Sequence, residues 1–204
     1  MKASPPENGF TLVELLIVVT IIGVLIGISI PTLSGVLQQA KKVEARSFMS
    51  GMQQAVASYR TEYGDWPPFM RATGDTDTKL ENSGDWTNFY GTMTAKADFS
   101  GLDTQNRRRI RFLDVPVKYL RQAGDLTTVP SNPLSATIFV DPWDKFYWMW
   151  VDANYDGVLR GLPNLTTGST SGFDIPGEIA VWSAATESPS PSTNEVKRSV
   201  ASWR

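Results

Sequence analysis

From Phe10 to Ile30 the chain carries a single charged residue, Glu14. A membrane span takes about 20 apolar residues, and this stretch is long enough to be one. A carboxylate in lipid costs roughly 2.5–3.5 kcal/mol on insertion scales, which makes Glu14 a functional-site residue by default. Something must compensate it, and a positive group at the same depth on a neighbouring chain would do so. The plainer alternative is a signal anchor in which Glu14 is incidental.

The residues Gly9, Phe10, Thr11, Leu12, Glu14 and, further on, Pro31 give a pattern that resembles the class III signal of type IV pilins and type II secretion pseudopilins. The resemblance implies cleavage between Gly9 and Phe10 by a prepilin peptidase, followed by N-methylation of the new Phe10 amine. The apolar segment is then retained, unlike that of a secretory signal peptide. In that family the glutamate pairs with the terminal amine of the adjacent subunit, which would supply the missing positive charge. The leader, residues 1–9, departs from the family by carrying one Lys and one Glu where a more basic leader is usual. Lys41 and Lys42 lie beyond the span, so the positive-inside bias is weak or reversed. Orientation with the N-terminus inside therefore rests on the resemblance.

Composition narrows the chemistry. The 204 residues contain no His and no Cys. That rules out Ser–His–Asp and Cys–His catalysis, the usual zinc sites, and any disulfide to staple an exported head. A net charge of −2 gives no basic excess to suggest nucleic acid.

Helical periodicity continues past the apolar stretch. Leu33, Val36, Leu37, Ala40, Val43, Phe48, Met52, Ala55, Val56, Tyr59 and Tyr63 follow steps of mostly three and four and predict one helical stripe. Gln38, Gln39, Lys41, Lys42, Glu44, Arg46, Gln53, Arg60 and Glu62 form the other face. Gly64 is placed as a C-terminal cap, and Pro67-Pro68 forbid continuation. Pro31 removes one helix hydrogen bond and predicts a kink. The expected organisation is a cleaved leader at 1–9, a transmembrane and assembly helix at 10–30, an amphipathic helix at 31–64, and a periplasmic head at 65–204.

In the head, short helices are expected at Asp85–Ala95 and Thr104–Arg109, with a strand at Ile110–Leu113. Arg107, Arg108, Arg109 and Arg111 form a basic cluster, either a solvated face or a partner for an acidic face on the next subunit. Strands are expected at Thr137–Val140, Phe146–Val151 and Glu178–Ser183, separated by turn residues, which predicts a small antiparallel sheet. Residues 186–194 read as a polar loop. The fold class is therefore α+β, a long N-terminal helix packed on a small antiparallel sheet.

Asp141-Pro142-Trp143-Asp144-Lys145-Phe146-Tyr147 resembles the Asp-Pro-Trp-Gly-x-x-Tyr segment of the major type II pseudopilin. The end of the chain, Ser199-Val200-Ala201-Ser202-Trp203, resembles that subunit's Asp-Ile-x-Ser-Trp, with Ser199 in place of Asp. Asp152-Ala153-Asn154-Tyr155-Asp156-Gly157 fits the opening of a calcium loop. The twelfth position is Pro163, where an EF-hand needs a bidentate Glu. Asp152, Asn154 and Asp156 are thus either calcium ligands completed by distant oxygens or members of a polar turn. Calcium is the only candidate cofactor, and it is one that the resemblance implies.

These features together point to a structural subunit of a type II secretion pseudopilus, not an enzyme, held in the inner membrane with its head in the periplasm. The implied partners are copies of itself and other pseudopilins in a filament, the prepilin peptidase, the inner-membrane assembly platform and membrane lipid. A type IV pilin is the nearest alternative. From another class, the aromatic run Phe146, Tyr147, Trp148 and Trp150 suggests a membrane-tethered carbohydrate-binding module, although packing on the long helix explains the same run.

Overall fold

The structure, a computed structural model, describes residues 10–71, 76–135, 137–165, 169–183 and 199–203. The side chains of 28–34 and 169–171 lie outside that description. Gly9, the side chain of Pro31 with the kink read from it, and the 186–194 loop therefore fall outside the described residues. The chain divides into two compact units, Met1–Ala40 and Lys41–Arg204.

Helix α1 spans Leu12–Tyr63 and contributes to both units. Within the first unit, Leu12, Val13, Leu15, Leu16 and Ile17 all expose half or more of their surface. Among the described residues no helix is long and apolar enough to cross a membrane.

Within the second unit the helix is amphipathic. Ala45, Phe48, Met49, Met52, Ala55, Val56 and Tyr59 are all buried, and their spacing of three and four residues traces one face. Ala45 and Met49 join the stripe that the sequence predicts, whereas Val43, expected in it, is exposed. The helix ends where Gly64 takes a φ of +76° and its N–H bonds to the Arg60 carbonyl at 2.8 Å. A left-handed residue is the common way to stop a helix, and glycine adopts it without steric cost.

The remaining elements are β1 (Thr78–Leu80), α2 (Ser83–Thr94), α3 (Leu102–Gln105), β2 (Leu120–Gln122), β3 (Thr137–Phe139), β4 (Tyr147–Val151), β5 (Val158–Asn164), β6 (Ser169–Pro176), β7 (Ile179–Ser183) and β8 (Val200–Ala201). The central sheet has the order β1-β4-β7-β8 and is antiparallel throughout. Two separate ribbons, β2-β3 and β5-β6, complete the α+β head. Helix α2 begins with a capping box: Asn82 accepts from the Asp85 N–H, and the Asp85 carboxylate accepts from the Asn82 N–H.

Ile110–Leu113, expected to be a strand, forms none. Instead the Phe112 and Leu113 N–H groups both bond to the Met93 carbonyl, at 2.8 and 3.0 Å. This segment satisfies its backbone by closing the end of α2.

The sheet is covered on both faces, and alternation along β4 decides which residue goes where. Tyr147, Met149 and Val151 point into the main core with Met49, Met52, Val56 and Phe139. Trp148 and Trp150 point the other way, into a second core with Leu159, Leu162, Leu165 and Trp182. The β5-β6 ribbon closes that second face.

Candidate functional site: the start of the long helix and the head loops

Phe10 and Thr11 precede α1 and are not helical. The Thr11 backbone N–H and hydroxyl both donate to Glu14 Oε2, at 2.9 and 2.8 Å. In return the Glu14 N–H donates to Thr11 Oγ1 at 3.2 Å. The first helical N–H groups have no partner within the helix, and a Thr-x-x-Glu box satisfies two donors reciprocally. Glu14 also lies in the first turn, where the helix dipole favours a negative charge. The Glu14 carboxylate, expected to be compensated from a neighbouring chain, thus receives part of its compensation from Thr11 of the same chain. The spacing of Thr11 and Glu14 was the signal for this. Phe10 is 85% exposed, so nothing in this unit covers it.

In the head, the Asp141 carboxylate is buried. Its Oδ1 accepts from the N–H groups of Trp143 and Lys145, at 2.8 and 2.9 Å, and its Oδ2 accepts from the Ser183 hydroxyl. Burial pushes this carboxyl above the usual range, against the opposing pull of those three donors. The Asp-Pro-Trp segment is thus a turn pinned to β7. The end of the chain forms β8. Ser202 Oγ accepts from the Val181 N–H at 3.0 Å and from the Gln53 side chain at 3.1 Å, which ties the last strand to both β7 and α1. Ser199 donates to the Leu165 carbonyl at 3.2 Å.

Asp152, Asn154 and Asp156 do come together in one loop. Asp152 Oδ2 accepts from the Gly157 N–H at 2.8 Å, and Oδ1 from the Asp156 N–H at 3.2 Å. Asn154 Oδ1 accepts from the same Asp156 N–H at 3.3 Å. Asp156 Oδ1 accepts from the Val158 N–H at 2.9 Å, and Oδ2 is paired with the Arg160 guanidinium. A calcium ion takes six to eight oxygens. Here the oxygens bind the loop's own backbone and an arginine, and among the described residues no group of three or more acids is arranged to hold a metal. The donor set as placed does not fit calcium. Arg160, which carries this arrangement, has no signal in the sequence.

One other expectation is corrected. The aromatic run is not an exposed sugar platform: Trp148 and Trp150 are 7% and 5% exposed, and the ribbon above them fills the face a ligand would need. Packing on the long helix applies to Tyr147, Met149 and Val151 and not to the tryptophans. In the basic cluster, Arg108 pairs with Glu62 and Arg109 with Asp103 at 3.2 Å. Both acids belong to the same chain.

A family model described as the prokaryotic N-terminal methylation motif matches residues 5–30. Similar proteins include the fimbrial protein EcpC of Eikenella corrodens, 37% identical over 68 residues, which are 33% of this chain and 44% of that protein. A type IV major pilin protein PilE1 of Neisseria gonorrhoeae is 29% identical over 132 residues, 63% of this chain and 60% of the relative. The type II secretion system core protein G of Escherichia coli (strain K12) is 34% identical over 67 residues, 33% of this chain and 46% of that protein. The chain spans about half the length of the curated relatives it matches. No solved structure matches it. By motif and by relatives, the chain is similar, over its N-terminal part, to type IV pilins and fimbrial proteins and to a type II secretion core protein G.

Proposed function

We propose that this chain is a structural subunit of a type II secretion pseudopilus. It is processed between Gly9 and Phe10 by a prepilin peptidase, anchored in the inner membrane by residues 10–30 with its head in the periplasm, and assembled with copies of itself and related pseudopilins on an inner-membrane platform. The observation that carries this reading is the start of α1, where Glu14 is held by Thr11 at the head of an apolar helix inside the matched methylation motif. The role is structural: apolar packing of the helices forms the filament core, and Glu14 pairs with the Phe10 amine of a neighbour. Low dielectric makes that pairing strong and its loss costly. The pinned Asp-Pro-Trp turn, the final strand at Val200–Ala201 and the absence of cysteine favour a pseudopilin. A type IV pilin is the second reading, favoured by the pilins and fimbrial proteins among the relatives.

N-terminal mass spectrometry of membrane-extracted protein tests processing. The mature chain is expected to begin at methylated Phe10, and a start at Met1 would overturn the reading. Glu14→Ala, in a strain lacking the wild-type copy, should leave membrane insertion intact because the burial cost is removed. Sheared-filament yield should fall sharply, and a normal yield would remove Glu14 from assembly.

A further inference from the structure

The 152–157 loop has the sequence of a cation-binding turn but already holds a positive group of its own. Its source is a bulge in β5. The register passes from Leu159 opposite Ile175 to Leu162 opposite Phe173, so Arg160 and Gly161 together face Asp174. Gly161 takes a φ of +72°, a left-handed value suited to a bulge of this kind. The bulge turns Arg160 out of the ribbon. Its N–H donates to Asp77 Oδ2 at 3.0 Å, and its guanidinium pairs with Asp156 Oδ2. The next N–H, that of Gly161, donates to Asp174 Oδ1 at 2.9 Å. Arg160 and its neighbour thereby join acids from three segments: the chain before β1, the 152–157 loop, and β6.

Without a cation these acids would oppose one another. Asp77 Oδ1 is buried with no hydrogen-bond partner among the described residues. Burial raises the Asp77 carboxyl above its usual range, and the charges of Asp152 and Asp156 add to that rise. The Arg160 charge is in turn stabilised by Asp156, Asp174 and Asp77. Lys79 and Arg160 line the pocket formed with Asp77 and Asn154.

We propose that Arg160 is the resident cation of this acidic pocket. It takes the place that a divalent ion would occupy, so the head folds without calcium. Guanidinium suits the task because it stays charged and offers several donors in a fixed plane. The proposal is independent of filament assembly and is read on folding alone.

The test is thermal melting of the full chain in detergent, followed by tryptophan fluorescence, in millimolar calcium chloride and in chelator. The wild-type curves should coincide. Arg160→Gln should melt about 1–4 °C lower in chelator, as expected for loss of a partly exposed ion pair in a chain of this size. Calcium should now raise the midpoint of that variant, because the carboxylates have lost their internal partner. A calcium-dependent rise in the wild type would overturn the proposal. So would an Arg160→Gln protein that melts like the wild type in chelator or ignores calcium. If Arg160→Gln does not fold, Asp156→Asn serves as the second variant. It should melt lower than the wild type and remain indifferent to calcium, and a calcium-dependent rise in it would equally overturn the proposal.

Discussion

Asp144 has a φ of +58° at the position where the resembling pseudopilin segment has glycine. Aspartate tolerates the left-handed region better than most residues, and here its carboxylate also pairs with Arg121. Asp144→Val should therefore lower stability by about 1–3 kcal/mol through backbone strain, measured by urea denaturation. Asp144→Gly should relieve the strain and lose only the ion pair, leaving the midpoint close to wild type. Tyr59 is the other instructive residue. Its hydroxyl donates to the Gln105 carbonyl, and its pKa is pushed from 10.0 up to about 12, first by burial and then by Tyr63. A raised folded pKa means that the unfolded chain gives up its proton first. The stability that Tyr59 contributes is complete below pH 10.0 and is lost as pH climbs through about 12. Alkaline unfolding of Tyr59→Phe should lack this component, and an identical pH profile for both proteins would refute the assignment.

Among the elements, the β5-β6 ribbon depends on close backbone approach. A Cβ on Gly172 would lie 2.6 Å from the Gly161 Cα, and no flexible side chain is there to yield. Gly172→Ala should cost about 1–3 kcal/mol by overpacking and should expose Trp148 and Trp150, read as a red shift in tryptophan emission. A wild-type emission maximum in this variant would show that the ribbon can part at no cost. The ribbon also marks where the sequence stopped being legible. Helix α1 could be read from its repeated apolar spacing, and β4 and β7 from runs of five residues that are apolar at nearly every position. The positions of β1, β2 and β8, each two or three residues long, are set by partners distant in sequence, and so short a run has no period to read. β5 contains Arg160, Gly161 and Pro163, which argue against a strand until the bulge is seen. At the helix start, the Thr-x-x-Glu spacing of Thr11 and Glu14 that makes the capping box was legible. The 152–157 turn was legible as one of two choices, and Arg160, which the bulge brings to Asp156, had no signal in the sequence.

At the scale of the whole molecule, the two units use apolar residues in opposite ways. Met52 is fully buried and Leu15 is 62% exposed, although both lie on α1. Met52→Ala should destabilise the head by about 2–5 kcal/mol. Leu15→Ala should leave head melting unchanged and should weaken retention in the membrane fraction. Loss of head stability from Leu15→Ala would contradict the division into units. The box at Thr11 and Glu14 has one more consequence. It fixes where coiling of the backbone begins, and so leaves Phe10 outside the coil. An endopeptidase grips its substrate as an extended ribbon, and a bond wound into a helix would first have to be unravelled. By ending the helix at Leu12, the Thr11 side chain keeps the residue after the proposed cut available to a proteolytic cleft. Thr11 thus sets where the backbone stays out of the coil as well as the charge environment of Glu14.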